Sequence, residues 1–463
     1  MDRENTVWTP DPGIARGEGN ALCYNRDFTA NRVLHRKNGL IRMRANRYVS
    51  LGCAVILAVL AAGCGSSSSS NQPKPTGLKK RVLLTNIEAN SINLLDAQKD
   101  TFTTKNFNAT APSKIITSGG QTVALDTTVA DLTIIDNTKE QVTASAVLED
   151  LAFDIAITKD GTLAFAAERN LNAVQFASTA DGAVSPQLIP IPAPRRLVMS
   201  PGGTKLLVFP DPQSQPNSHA FYVIDVASKG LAIVTSPTQL DEPFTAVFGS
   251  SDTQAFILNC GDECGGAAAS VVSVDFSGVF NNPAVPAGFG PSTFVPGATV
   301  GLLNGTNLYV AGTPTPASPS LPAGFSCPLS SCGTLSIVNT TTGTASTPIA
   351  ITDGLHEKMA FANNRVYVGA SRCAVDPGTA ANTVRGCLSI FNTGTPGVKF
   401  PQESSFRQNF NVTGLQPISN RSVIYIVQGG EIDIFDTTTD ALATGITQLD
   451  VVGRAFDVVQ IDP

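Results

Sequence analysis

Short apolar runs that end in a carboxylate, amide or hydroxyl side chain and then break into a turn recur from residue 92 to residue 436. The clearest lie at 92–96, 132–136, 221–225, 271–275, 335–339, 388–392 and 432–436, and they close on Asp96, Asp136, Asp225, Asp275, Asn339, Asn392 and Asp436. A weaker eighth at 174–178 closes on Ser178. Spacings of roughly 40 to 65 residues fit the period of a radially repeated sheet, with the surplus taken up by loop insertions.

Each repeat reads as four strands. The second has Ser113-Lys114-Ile115-Ile116, a Gly119-Gly120 turn, and then runs at 122–125, 132–136 and 142–148. The third repeats the order at 153–158, 162–167, 174–177 and 188–191, with Lys159-Asp160-Gly161 between its first two strands. The fourth carries Leu197-Val198-Met199 ahead of Ser200-Pro201-Gly202-Gly203. Asp-Gly and Gly-Gly supply the positive φ of tight hairpins. Glycine and proline are abundant, at 40 and 30 residues, and long helical periodicity is missing, so the expected class is all-β with almost no helix.

The two ends predict how the ring closes. The chain enters at a second strand, 81–87, and finishes on a first strand without partners, 455–460. One blade completed by both ends pairs edges that would otherwise invite aggregation. The expected architecture is a β-propeller of four-stranded blades over 78–463. Eight blades are favoured; merging the weak third unit, or a different reading of 281–296, gives seven.

The start of the chain is of another kind. Arg44 and Arg47 precede an uncharged, mostly apolar run at 49–62, too short to span a bilayer as a stable helix. It closes on Leu60-Ala61-Ala62-Gly63-Cys64, which resembles a bacterial lipobox, although leucine is commoner at the place of Ala61. The expectation is a lipoprotein signal at 43–63 and a lipidated Cys64, with Ser/Pro-rich residues up to 77 forming a flexible tether. Residues 1–42 fit no part of this scheme and are expected to lie upstream of an initiator at Met43. Trp8, Cys23 and His35 then fall outside the mature protein. A long extension ahead of the signal is the alternative.

Charge narrows the partners. The whole chain carries −6; residues 1–63 hold nine Lys or Arg and five Asp or Glu, so the exported part stands near −10. That balance argues against nucleic acid and leaves the membrane to be reached through the lipid. An envelope protein or a small polar molecule is the expected partner.

Besides Cys64, the exported part has six cysteines in three local pairs: Cys260 with Cys264, Cys327 with Cys332, and Cys373 with Cys387. An even count in an exported chain favours disulfides. Each pair falls between the second and third strands of its blade, so all three belong to one face. Cys260-Gly261-Asp262-Glu263-Cys264 leaves a metal site as the alternative, against which stand the spacing and the lack of a nearby histidine. No metal and no cofactor is expected.

First strands line a propeller's channel. The candidate ligand-facing residues are therefore the polar ones near their starts: Lys114, Asp150, Arg195, Arg196, Glu242, His356, Glu357, Lys358, Arg407 and Arg454. His356-Glu357-Lys358 is where a histidine adjoins both charges, as a general base with an orienting carboxylate requires. Solvated loop-edge charge is the plainer reading of the same residues. No Gly-x-Ser-x-Gly, P-loop or dinucleotide fingerprint is present, and no catalytic residue is assigned.

Arg81-Val82-Leu83-Leu84-Thr85-Asn86, followed by Asn90-Ser91-Ile92-Asn93-Leu94-Leu95-Asp96, resembles the Tyr-Val-Thr-Asn (YVTN) repeat propellers, whose relatives include propeller lactonases. Ser200-Pro201-Gly202-Gly203-Thr204-Lys205 and Arg365-Val366-Tyr367-Val368 support the likeness. Leu83-Leu84 stands where that family has Tyr-Val. The resemblance implies the fold and transfers no active-site residue. The functional expectation is an envelope-anchored, noncatalytic binding or scaffolding propeller, with a lactonase-like or other small-molecule hydrolase as the alternative.

Overall fold

The computed structural model describes residues 74–462 except 127 and 408. The expected signal, Cys64 and most of the expected tether lie outside the described residues.

Among the described residues eight antiparallel sheets form the blades, and a separate three-stranded sheet is inserted near the seventh. Blade 2 is typical, with Pro112–Ser118, Gln121–Asp126, Asp131–Asp136 and Gln141–Val147 paired in chain order. Blade 1 takes Arg81–Asn86, Ser91–Asp96 and Thr101–Asn108 from the start of the domain and Ala455–Gln460 from its end. Leu83 faces Val459 and Leu84 faces Val458 in that closing pair. Arg81 reinforces it by binding the Asp462 carboxylate at 2.6 Å. Among the described residues the single helical turn is a 3-10 segment, Gly261–Cys264.

The inner strands of blades 1 to 8 are Ala455–Gln460, Pro112–Ser118, Asp154–Ile157, Pro194–Met199, Pro243–Phe248, Val300–Asn304, Leu355–Ala362 and Val412–Pro417. Each packs beside the next, and the eighth returns to the first.

The core lies between blades. Val123, Leu132 and Ile134 of blade 2 pack against Ala164 and Ala166 of blade 3, while Phe209 and Phe221 of blade 4 meet Ile257 and Val272 of blade 5. A second strand is thus covered on both faces and reads as an unbroken apolar run, as Val82 to Leu84 do. Outer strands such as Gln141–Val147 are largely exposed, Val142 and Val147 included.

The residues that close the third strands cap the following turn. Asp136 Oδ1 accepts the Thr138 and Lys139 N–H groups at 2.9 Å, Asn339 Oδ1 accepts Thr341 and Thr342 at 2.9 and 3.0 Å, and Asp436 Oδ1 accepts Thr438 at 2.7 Å. These side chains are turn formers. Between first and second strands, Gly119 and Gly120 have φ of 55° and 81°. A Cβ on Gly119 would stand 2.1 Å from the Asp160 carbonyl of the next blade's hairpin, so no larger residue fits.

Candidate functional site

The inner strands carry the chemistry because of a repeated irregularity. In blades 1, 2, 4, 5, 7 and 8 their register with the second strand slips by one residue near the start, between Pro112 and Lys114, Pro194 and Arg196, and His356 and Lys358 for example. Such a bulge bends the strand and re-aims its side chains. Ahead of it, Ala111, Ala193 and Glu242 hold φ of 43°, 39° and 54° immediately before Pro112, Pro194 and Pro243. This left-handed kink launches the strand, and a proline at the first position forgoes no ladder hydrogen bond.

Around the channel the re-aimed residues enclose a cavity of about 260 Å3 lined by Ser113, Lys114, Leu125, Phe153, Asp154, Arg195, Arg196, Glu357, Lys358, Phe456 and Asp457. Its charges are paired. Lys114 of blade 2 binds Asp154 of blade 3, Lys358 of blade 7 binds Asp457 of blade 1 at 2.8 Å, and Arg196 of blade 4 reaches Glu357 of blade 7. The Arg196 guanidinium also lies 4.6 Å above the Phe244 ring.

Asp154 and Asp457 do the same structural task in different blades. Asp154 Oδ2 accepts the Leu197 N–H of the next inner strand at 2.8 Å, and Asp457 Oδ2 accepts the Ile115 N–H of its next inner strand at 3.3 Å. Each side chain is 7% exposed. A carboxylate so placed ties neighbouring blades together and presents one oxygen to a channel lysine. Neither residue was among the sequence candidates, yet the chain carries the signal twice, as Ala152-Phe153-Asp154-Ile155 and Ala455-Phe456-Asp457-Val458.

The cavity brings together Lys114, Arg195, Arg196, Glu357 and Lys358. The remaining candidates lie elsewhere. His356 is fully buried and does not line the cavity, its Nε2 2.9 Å from the Thr352 carbonyl and its Nδ1 without a partner among the described residues. Burial pushes its pKa down to about 4, so it stands neutral near pH 7. The expected pairing of a His356 base with Glu357 is corrected accordingly: the bulge sends the two side chains apart, and Glu357 meets Arg196 instead. Glu242 is also buried at its kink, accepting the Ser218 N–H at 3.1 Å, and burial raises its pKa. Asp150 accepts the N–H of Leu151 at 2.7 Å in a loop and does not line the cavity.

Arg407 and Arg454 line a separate cavity of about 580 Å3 together with Glu88, Phe406 and Glu431. Arg407 is bound by both oxygens of Asp433, at 2.6 and 2.8 Å, and approaches Glu403 at 3.5 Å. Burial, with the Asp433 charge beside it, pushes Glu403 up to about 7.

The cysteines pair as expected, Cys260–Cys264, Cys327–Cys332 and Cys373–Cys387, in blades 5, 6 and 7. The bridge between Cys260 and Cys264 leaves no thiolate there for a metal. Among the described residues no three His, Cys, Asp or Glu side chains are arranged to hold one.

No family profile matches the chain, and no curated protein is similar to it in sequence. Solved structures are similar in shape. The dihydro-heme d1 dehydrogenase NirN in complex with DHE is 10% identical, with a TM-score of 0.60 over 84% of this chain and 79% of that one. Kuenenia stuttgartiensis hydrazine synthase is 12% identical, with a TM-score of 0.51 over 71% of this chain and 96% of that one. At such identities the likeness extends to the fold alone, and that fold is the β-propeller.

Proposed function

We propose that this chain is an exported lipoprotein whose propeller, tethered to the membrane through Cys64, binds a polar ligand or the polar side chains of an envelope partner at its channel without transforming it. One observation carries this reading: the channel charges are committed to one another across blades, Lys114 to Asp154, Lys358 to Asp457 and Arg196 to Glu357. Such pairs form a rigid array of donors and acceptors that a ligand of matching polarity engages by exchanging partners. Proton transfer near pH 7 asks instead for a group poised between its two forms, and His356 is buried away from the cavity and held neutral. Three disulfides staple loops on one face, which suits an oxidising compartment and a stiff binding surface. The likeness to YVTN-repeat propellers supports the same architecture.

The test is crosslinking of the full-length protein in the envelope that holds it, followed by mass spectrometry. The reading expects a reproducible, stoichiometric partner or small-molecule adduct mapping to the channel mouth. Robust turnover of a lactone or ester, abolished by Glu357→Gln without loss of thermal stability, overturns it in favour of the hydrolase.

A further inference from the structure

A third cavity, of about 560 Å3, opens among the loops of blades 4 to 7 and shares only Arg195 with the charge-paired channel cavity. Its size suits a small organic molecule. Arg195, Phe244, Glu263, Asp353, Leu355 and Arg372 supply its chemistry. Phe244 and Leu355 make an apolar wall.

The polar groups are held in place by structure that precedes any ligand. Glu263 sits on the 3-10 turn between the bridged Cys260 and Cys264. Its Oε2 accepts the Thr313 N–H at 2.9 Å, and a Cβ on Gly312 would come within 2.6 Å of that oxygen, so the seat is built for this side chain. Asp353 has both oxygens in use, one accepting from the Ala374 N–H at 2.7 Å and the other from the Ser331 hydroxyl at 2.6 Å.

Donors are left over. Arg195 spends one N–H on Asp211 at 3.0 Å. Arg372, held at φ 57° with its own N–H donated to Asn411 at 2.8 Å, makes no side-chain hydrogen bond or ion pair among the described residues. A cavity with an apolar wall, two guanidinium groups with N–H groups to spare and two carboxyls, Glu263 and Asp353, that already accept hydrogen bonds from the protein is better matched to an anion than to a cation.

We propose that this cavity binds a small organic carboxylate with an apolar, ring-sized body, the carboxylate meeting Arg372 and Arg195 and the body lying on Phe244 and Leu355. This goes beyond the channel reading and does not depend on it. Burial, with Asp262 beside it, pushes Glu263 up to about 8, so near pH 7 it is a neutral acid that donates to the ligand instead of repelling it. The other charged groups lining the cavity are Asp353 and Arg372 of blade 7 and Arg195 of blade 4; blade 6 contributes Thr299 and Thr313.

The test uses fluorine NMR of 4-fluorophenylacetate added to the full-length protein, with 4-fluorobenzylamine as the cationic control. The acid should broaden saturably near neutral pH and the amine should not. Arg372→Met, at an exposed position, should weaken the acid by about tenfold or more, as loss of a charge-assisted contact does. Arg454→Met, in the separate cavity beside Arg407, should leave it unchanged. Affinity should fall as pH rises through about 8 in the wild type and stay level in Glu263→Gln. Equal binding by Arg372→Met, equal binding of the amine, or no saturable binding of the acid overturns the proposal. A channel partner that persists in Arg372→Met separates that failure from failure of the channel reading.

Discussion

Arg196 and Glu357 meet across the channel although 161 positions separate them in the chain and their inner strands belong to blades 4 and 7. The contact exists because two bulges aim the side chains inward, and it spans the channel without joining adjacent blades. Its partners are 21% and 36% exposed, which screens their attraction. Arg196→Met should therefore change stability by less than about 1 kcal/mol in urea unfolding, while altering whatever occupies the channel.

Asp457 is placed differently. It accepts from Lys358, from the Ile115 N–H and from the Val458 N–H, and its own N–H donates to Thr85. Asp457→Ala leaves a buried backbone donor and a channel lysine unpaired, so it should cost about 2 to 4 kcal/mol in the same experiment. A loss no larger than that of Arg196→Met would contradict the blade-tying role.

His356 makes stability depend on pH. The unfolded chain takes up a proton on this side chain below about 6.5, whereas the folded chain keeps it neutral down to about 4. Its contribution is present in full above pH 6.5 and is lost as pH falls toward 4, a change of roughly 3 kcal/mol. Buried carboxyls such as Glu403 and Glu168, both pushed up to about 7, act in the opposite sense, so the comparison must be with a variant. The stability of wild type relative to His356→Gln should shrink between pH 7.5 and pH 4.5, read from chemical denaturation at each pH. A constant difference would place His356 in a wetter site.

The Cys373–Cys387 bridge closes the longest of the three stapled loops, with a sequence separation of 14, at the base of the accessory sheet Asp376–Pro377, Thr383–Arg385 and Gln402–Ser404. Replacing both cysteines by serine should lower stability by about 3 kcal/mol. The Cys327–Cys332 loop, with a separation of 5, should cost less when opened. Melting of the two double variants under nonreducing conditions checks the order.

Deleting residues 455–462 removes the inner strand of blade 1 and the Arg81–Asp462 pair, baring the edge of Arg81–Asn86. The truncated chain should aggregate or stay unfolded, and adding the missing segment as a peptide should rescue soluble protein. A folded, monomeric truncation in gel filtration would show that closure is dispensable.

The blades were legible because burial on both faces makes second strands such as Leu206 to Phe209 continuous apolar runs, and because the turn after each third strand asks for Asp, Asn or Ser. The channel was legible only in part. Alternation along a strand places His356 and Lys358 on one side, but the bulge inserts Glu357 between them and turns His356 into the core. Glu242 looked like a charge near a strand start and is instead the kink ahead of Pro243. Arg407 finds Asp433 in its own blade, outside the channel cavity. Asp154 and Asp457 escaped notice because they follow a phenylalanine inside an apolar context, where a strand-end charge is not sought. Comparing blade with blade at Ala-Phe-Asp would have found both.

Native mass spectrometry of the full-length protein in mild detergent tests the channel reading most directly, with an Arg196→Met, Glu357→Gln double variant beside it. The account predicts a discrete noncovalent mass on the wild type that the double variant loses and that is recovered chemically unchanged after incubation. A mass retained equally by the double variant, or one that converts to a product as the sample stands, would contradict it.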